Sequence, residues 1–363
     1  MKKILLSTAA LAGLAFVAAP ARADEPALQL GLGGYVSGYG VYTDQDAAAG
    51  TDLRQFDFRK DTEVHLNGEV ALDNGITAGA HMELLADRND GTTVEESYMY
   101  LSSSWGRVNF GEEDGIAYLI QVTPPTADDK VDGARPNIGT FAAAAGGTLD
   151  YAQDPFVYTN KFTYITPVFN GFQAGFSFLP SVSEGDLSGT AASVAANTAG
   201  ATAFENGYEV AARYEGSFDA VDVALGAGYS TAKQEVKAAG EEDLADWNVG
   251  GTVGFGAFDL GATYINFDET GLRDRVLDGW VLGGDYKVGA YKLGLNYANL
   301  TQENGVATRD TEIDRWTAGA VYEWGPGMTF RGAVQWQSAD DVGGVATADN
   351  DGTQVTLGTQ LNF

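Results

Sequence analysis

The C-terminal stretch Thr353–Phe363, TQVTLGTQLNF, alternates between two kinds of residue. Val355, Leu357, Leu361 and Phe363 fall on one side; Gln354, Thr356, Gly358, Gln360 and Asn362 fall on the other. A β-strand turns successive side chains to opposite faces, so this segment reads as a strand with one oily and one wet face. The same period recurs at Val64/Leu66/Val70/Leu72 against Glu63/His65/Asn67/Glu69, and at Phe172/Ala174/Phe176/Phe178 against Gln173/Gly175/Ser177. It returns at Trp316/Ala318/Ala320/Tyr322/Trp324 against Arg315/Thr317/Gly319/Val321/Glu323. About sixteen such strands are predicted, from 30–42 to 352–363.

A soluble sandwich also has two-faced strands, so the connections decide between the architectures. Tight turns are expected at Asp73-Asn74-Gly75, Ser103-Ser104, Phe169-Asn170, Phe218-Asp219, Gly256-Ala257, Val288-Gly289 and Gly325-Pro326-Gly327. Between them lie longer polar segments, among them 43–55, 113–156, 180–206 and 339–351. Short turns at one rim and long loops at the other suit a barrel that crosses an outer membrane, and an even strand number lets the last strand pair with the first. The reading is an all-β fold, a closed 16-stranded antiparallel transmembrane β-barrel. Aromatics near strand ends, such as Tyr164, Phe169, Phe172, Phe178, Tyr286, Tyr291, Trp324, Trp336 and Phe363, fit interfacial girdles.

The start of the chain is consistent with export. Lys2 and Lys3 precede an apolar run from Ile4 to Pro20, and Ala21-Arg22-Ala23 offers a small-residue cleavage site. Residues 1–23 therefore read as a signal peptide and 24–363 as one barrel domain. Its removal takes three of the 21 basic residues and leaves 50 acidic against 18 basic. That surface repels nucleic acid. The 44% hydrophobic and 11% aromatic content, spread along the chain, separates it from acidic disordered proteins. There is no cysteine, so disulfides do not hold it together.

Four segments carry a family resemblance: GLGGYVSGYG at 31–40, EESYMYLSSSWGRVNFGEEDG at 95–115, NKFTYITPVFNGFQAGFSF at 160–178, and the terminal Phe363. Together they resemble the Gram-negative trimeric porins of the 16-stranded type, especially those of α-proteobacteria, over essentially the mature chain. The resemblance implies a water-filled channel for passive diffusion of small hydrophilic solutes, and a homotrimer set in outer-membrane lipid and lipopolysaccharide. It also implies delivery by periplasmic chaperones to the barrel-assembly machinery, with Phe363 as the assembly signal. The family often has a basic residue just before the tyrosine of its Y-x-x-P-x-x-x-G-F hairpin; here Thr163 precedes Tyr164.

The resemblance further implies that the long segment 113–156 folds into the barrel as a constriction loop. With its entry it carries Glu112, Glu113, Asp114, Asp128, Asp129, Asp132, Asp150 and Asp154 against only Lys130 and Arg135. Strand parity turns Arg59, Lys161, Arg213, Arg315 and Arg331 inward, with Arg88 near a loop. The expected eyelet sets these bases across from the acidic loop, and the carboxylate excess predicts weak cation preference.

Two other readings follow from particular residues. Tyr35, Tyr39, Tyr98 and Tyr100 would suit the aromatic track of a substrate-specific channel. A barrel enzyme would need a poised base, but His65 and His81 are the only histidines and no G-x-S-x-G elbow exists, so lumen lining is the expectation. A soluble adhesin would lack the channel. No cofactor or metal site is expected. The acidic pairs Asp44/Asp46, Asp128/Asp129 and Asp340/Asp341 lack EF-hand or RTX spacing, so Ca²⁺ there is only the alternative to solvated loops.

Overall fold

The computed structural model describes residues 15–18, 28–46, 53–86, 94–139, 141, 149–182, 204–234, 243–268, 276–303, 309–342 and 349–363. Arg88 and most of the expected leader lie outside them. Sixteen strands form the wall: β1 (Gln29–Gln45), β2 (Phe56–Ala71), β3 (Thr77–Leu85), β4 (Val94–Ser103), β5 (Gly106–Glu112), β6 (Asn160–Ile165), β7 (Phe172–Ser181), β8 (Phe204–Phe218), β9 (Val221–Gln234), β10 (Leu244–Phe255), β11 (Phe258–Asp268), β12 (Val276–Val288), β13 (Tyr291–Gln302), β14 (Thr311–Gly325), β15 (Met328–Asp340) and β16 (Asn350–Asn362). A further four-residue strand, Ala15–Ala18, pairs with the start of β1.

Every strand pairs antiparallel with its neighbour in sequence, and β16 returns to β1 with Leu357 opposite Gly40. The seam is completed by Phe363, whose N–H donates to Gly34 O at 3.0 Å while Gly34 N donates to Phe363 O at 3.1 Å. Closure gives each backbone N–H and C=O a partner where lipid offers none. Among the described residues no helix is long and apolar enough to cross a membrane.

Burial is inverted relative to a water-soluble protein. Leu357 is 68% and Phe58 78% exposed, while Gln354 and Thr356, the neighbours of Leu357 on the other face, are wholly buried. The oily faces therefore look outward to lipid, and the polar faces look into the lumen. Aromatic rings cluster in two belts on the outer face. At the tight-turn rim Phe258 meets Phe255 and Tyr286, Tyr291 meets Tyr322, and Trp324 meets Phe330. Toward the other rim Tyr264 packs between Trp247 and Trp280, and Tyr297 packs on Trp316. Trp316 and Trp324 lie eight residues apart on β14, about 26 Å along the strand and about 20 Å in height once it tilts, which matches an apolar band.

The turns reverse at residues that tolerate left-handed backbone: Asn170, Asp219, Gly75, Gly256, Gly289 and Gly327 all have φ between 49° and 79°. All seven expected tight turns lie at this rim. Several strand ends move by three or four residues: β1 runs on to Gln45, β8 begins at Phe204 and β9 runs on to Gln234, while residues 155–158 form a turn and β6 starts only at Asn160.

Candidate functional site

The described residues of the long loop, 113–139, 141 and 149–159, lie inside the barrel, where their atoms meet inward-facing residues around much of the wall. It opens with a short helix, α1 (Ile116–Leu119), whose Ile116 N–H donates to Ser177 Oγ on β7 at 2.9 Å. The chain then runs extended. Val122 O accepts from Thr263 Oγ1 of β11 at 2.7 Å, and Pro125 O from Asn296 Nδ2 of β13 at 3.1 Å. A second turn, α2 (Asp129–Asp132), is capped by Asp128, which accepts from Lys130 N at 3.2 Å. Within it Val131 O accepts from Gln335 Nε2 of β15 at 3.2 Å.

Glycines on the inward faces form the bed for this path. A Cβ on Gly226 would stand 2.6 Å from Val122 Cγ2, one on Gly294 would stand 2.5 Å from Ala127 N, and one on Gly250 would collide with Val122 O. Those inward positions allow the loop backbone to lie directly on the strands, which any larger residue would forbid.

Ion pairs fasten the loop at both ends. Asp128 Oδ1 lies 2.7 Å from Arg331, and Asp128 Oδ2 accepts from Tyr39 OH at 3.0 Å. Asp132 lies 2.7 Å from Arg315, and Lys130 pairs with Asp61 on β2, whose carboxylate also accepts from Asn137 Nδ2 at 2.7 Å. Arg135 binds Asp114 at 2.9 Å and also pairs with Asp154, drawing the two ends of the loop together. Burial pushes the carboxyls of Asp128 and Asp132 above their usual range, and the guanidiniums of Arg331 and Arg315 oppose that rise. Burial likewise raises Glu113, to about 7.

This arrangement differs from two charged walls facing across a gap. Asp128 and Asp132 touch Arg331 and Arg315, so each pair neutralises itself and holds the loop to β14 and β15. Lys161 is buried with its Nζ donating to Val157 O at 2.6 Å and to Glu113 O, an anchor for the loop root. Arg213 pairs with Glu215 on its own strand. Glu113 and Asp114 are buried at the loop root, where Glu113 accepts from Asn109 Nδ2 at 2.7 Å and Asp114 N donates to Glu96 Oε1 at 3.1 Å. Asp129 of α2 stays open to the aqueous passage, its side chain 73% exposed and 3.7 Å from Arg331. Arg59 is exposed on the inward parity of β2, opposite Tyr39.

Glu112 is a correction to the expected loop set. It ends β5 on the outward face shared by Val108 and Phe110, because parity carries every second residue of the strand away from the lumen. Thr163, where the family often has a base, is buried and lies 3.0 Å from Ser177 Oγ in a neutral hydroxyl pair. The tyrosine track is also tied down. Tyr35, Tyr39 and Tyr100 donate to Asp61 (2.9 Å), Asp128 (3.0 Å) and Glu69 (2.7 Å), so their hydroxyls serve the wall network. Of the acidic pairs considered for Ca²⁺, Asp128 is engaged by Arg331 and Asp341 by Arg309 at 2.9 Å.

Asp61, Gln335, Thr263, Asn296 and the bed of glycines were not singled out from sequence. Inward parity marks them all, but parity does not say which lumenal residues the loop will meet.

The chain compares with known proteins as follows. A sequence family described as "Gram-negative porin" matches residues 7–360. No curated protein sequence matches significantly. Among solved structures, the anion-selective porin from Comamonas acidovorans superposes with a TM-score of 0.61 at 19% identity, covering 93% of this chain and 100% of that one. OmpT, an outer membrane protein of Vibrio cholerae in its trimer form, gives 0.58 at 14% identity over 93% of this chain and 99% of that one. An engineered variant of the Rh. blastica porin gives 0.57 at 18% identity over 92% and 100%.

Proposed function

Because the chain belongs to the Gram-negative porin family, and is accordingly a passive diffusion channel of the bacterial outer membrane and not an enzyme, we propose that its long loop sets the size limit for small hydrophilic solutes and gives weak cation preference. The observation that carries this reading is the self-neutralisation of the loop. Lys130, Arg135, Arg315 and Arg331 are all paired with carboxylates. The remaining charge is then mainly acidic: Asp128 and Asp129 share the single charge of Arg331, with Asp129 in the passage, and Glu63 and Glu83 line the wall on strands whose bases are Arg59, Lys60 and the two histidines. In a narrow pore fixed carboxylates raise the local cation concentration, while charges outside it are screened within about 8 to 10 Å.

The named selectivity of the Comamonas protein is the opposite one, which makes selectivity the discriminating measurement. The reversal potential of single channels in a potassium chloride gradient is expected to show potassium passing more readily than chloride. Anion preference would overturn the charge argument and leave the channel intact.

The same reading takes the protein as a homotrimer. Its support is the outward apolar surface of the first and last strands, with Leu30, Leu32, Val36, Phe330, Leu357 and Leu361 exposed, and the trimer form of the Vibrio neighbour. Native mass in detergent tests it. Phe363 is proposed as the signal read by the barrel-assembly machinery after chaperone passage, and the exposed aromatic belts as the contact with lipid and lipopolysaccharide.

A further inference from the structure

Beside the root of the long loop stands a cluster in which carboxylates and the two imidazoles meet on the lumenal wall. His65 and Glu63 on β2, His81 and Glu83 on β3, and Glu96 on β4 all face inward. Glu83 Oε1 lies 3.5 Å from His65 Nδ1 and 2.9 Å from His81 Nε2, and Glu96 Oε2 lies 3.8 Å from the same His81 nitrogen. One ligating atom from each of His65, His81 and Glu83 falls within 4.8 Å of the others.

The far nitrogen of each ring is already engaged. His65 Nε2 lies 3.1 Å from Glu63 Oε2, and His81 Nδ1 lies 2.7 Å from Asn67 Oδ1. Both partners are acceptors, so in the tautomer that donates to them the near nitrogen of a neutral imidazole presents a lone pair toward Glu83. In that tautomer two lone pairs and a carboxylate oxygen converge on one point. A cation at their centre turns that repulsion into ligation. An acceptor behind each imidazole, fixing its tautomer and orientation, is how proteins position metal-binding histidines.

We propose that His65, His81 and Glu83 form a binding site for a divalent transition-metal ion of the Zn²⁺ class, with Glu96 as a neighbouring carboxylate. Tetrahedral Zn²⁺ with bonds of about 2.0 to 2.1 Å separates its ligands by roughly 3.3 Å, and the two histidine-to-Glu83 distances, 3.5 and 2.9 Å, bracket that value. Two imidazoles favour such an ion over Ca²⁺ or Mg²⁺, which prefer oxygen. The side chains of His65, His81 and Glu83 are 5%, 10% and 13% exposed, sheltered but open to the lumen. Because Glu96 also accepts from Asp114 N at 3.1 Å, a bound ion would add positive charge where the loop begins.

The test is equilibrium dialysis of the full-length protein in detergent against Zn²⁺, with excess Mg²⁺ to suppress adventitious carboxylate binding. One tightly held Zn²⁺ per chain is expected at about pH 7.5, with release at about pH 5 as protons take the ring nitrogens. His81→Gln should weaken binding at least about tenfold, and His65→Gln with His81→Gln should abolish it. Binding well below one equivalent, or equal binding by a double variant with native β-sheet circular dichroism, would overturn the site. Co²⁺ loading of the unsubstituted protein needs no variant to fold: nitrogen-ligated absorption bands support the site, and an aquo-ion spectrum refutes it. Neither readout involves current, so the pore reading stands or falls separately.

Discussion

Asp128 and Arg331 form a 2.7 Å ion pair between the long loop and β15, and the other oxygen of Asp128 takes the hydroxyl of Tyr39 on β1. Since β16 runs between those two strands, one loop carboxylate bridges the seam at which the barrel closes. The loop is thus fixed to the wall where the first and last strands meet.

Replacing Asp128 by Ala leaves Arg331 only the exposed Asp129, 3.7 Å away, so loop anchoring should weaken by less than the about 3 to 5 kcal/mol of a fully orphaned buried charge. The strands do not depend on this pair, so the barrel should keep its heat-dependent gel mobility. Single-channel records are expected to show more current noise and a shift toward chloride. Unchanged noise and selectivity would refute the anchoring role.

Acidification should act on the same pairs without mutation. Burial raises the carboxyls of Asp128 and Asp132, so they bind protons at a higher pH than ordinary aspartates. Protonation leaves Arg315 without its partner and Arg331 with only the exposed Asp129, so cation preference should fall as pH drops through the carboxylate range. Reversal potentials measured across that range check it; a constant value would contradict it.

Gly250→Ala should narrow the pore. The added methyl would collide with Val122 O, and since the strand is held on both edges the loop must move toward the lumen. A lower conductance and a stability cost of about 1 to 3 kcal/mol are expected. Gly38→Ala, where nothing lies within 4 Å, is the control that should leave conductance unchanged.

Leu357→Arg places a charge on the lipid face at a residue that is 68% exposed. It should cost about 2 to 4 kcal/mol in folding into lipid vesicles, measured by denaturant titration. The same change at a lumenal position would not meet lipid, so an equal cost at both would contradict the assigned facing.

Deleting Phe363 removes the paired hydrogen bonds with Gly34 that end the seam. Refolding in detergent should tolerate this small loss, whereas the yield in bacterial outer membranes should fall much further if the residue is read during assembly. Equal losses in both settings would reduce Phe363 to a structural role.

The sequence by itself determined the number of strands, their facing and the turns. Each is local: period-two alternation such as that of Val355 to Phe363 assigns two faces, and Gly or Asn at a reversal permits the turn. Parity also turned Arg315 and Arg331 inward, and the same rule applied at β5 sends Glu112 outward. What only the tertiary structure decided is who meets whom inside the barrel. Asp132 and Arg315 are far apart in the chain, and nothing local says whether they face each other across water or touch. The closed wall and its glycine bed bring the loop within contact distance, so the charges neutralise in pairs and the residual field falls to Asp129 and the wall glutamates. The convergence of His65, His81 and Glu83 has the same origin. The register of β2 and β3 sets His65 opposite Glu83, and His81, the next inward residue along β3, completes the cluster.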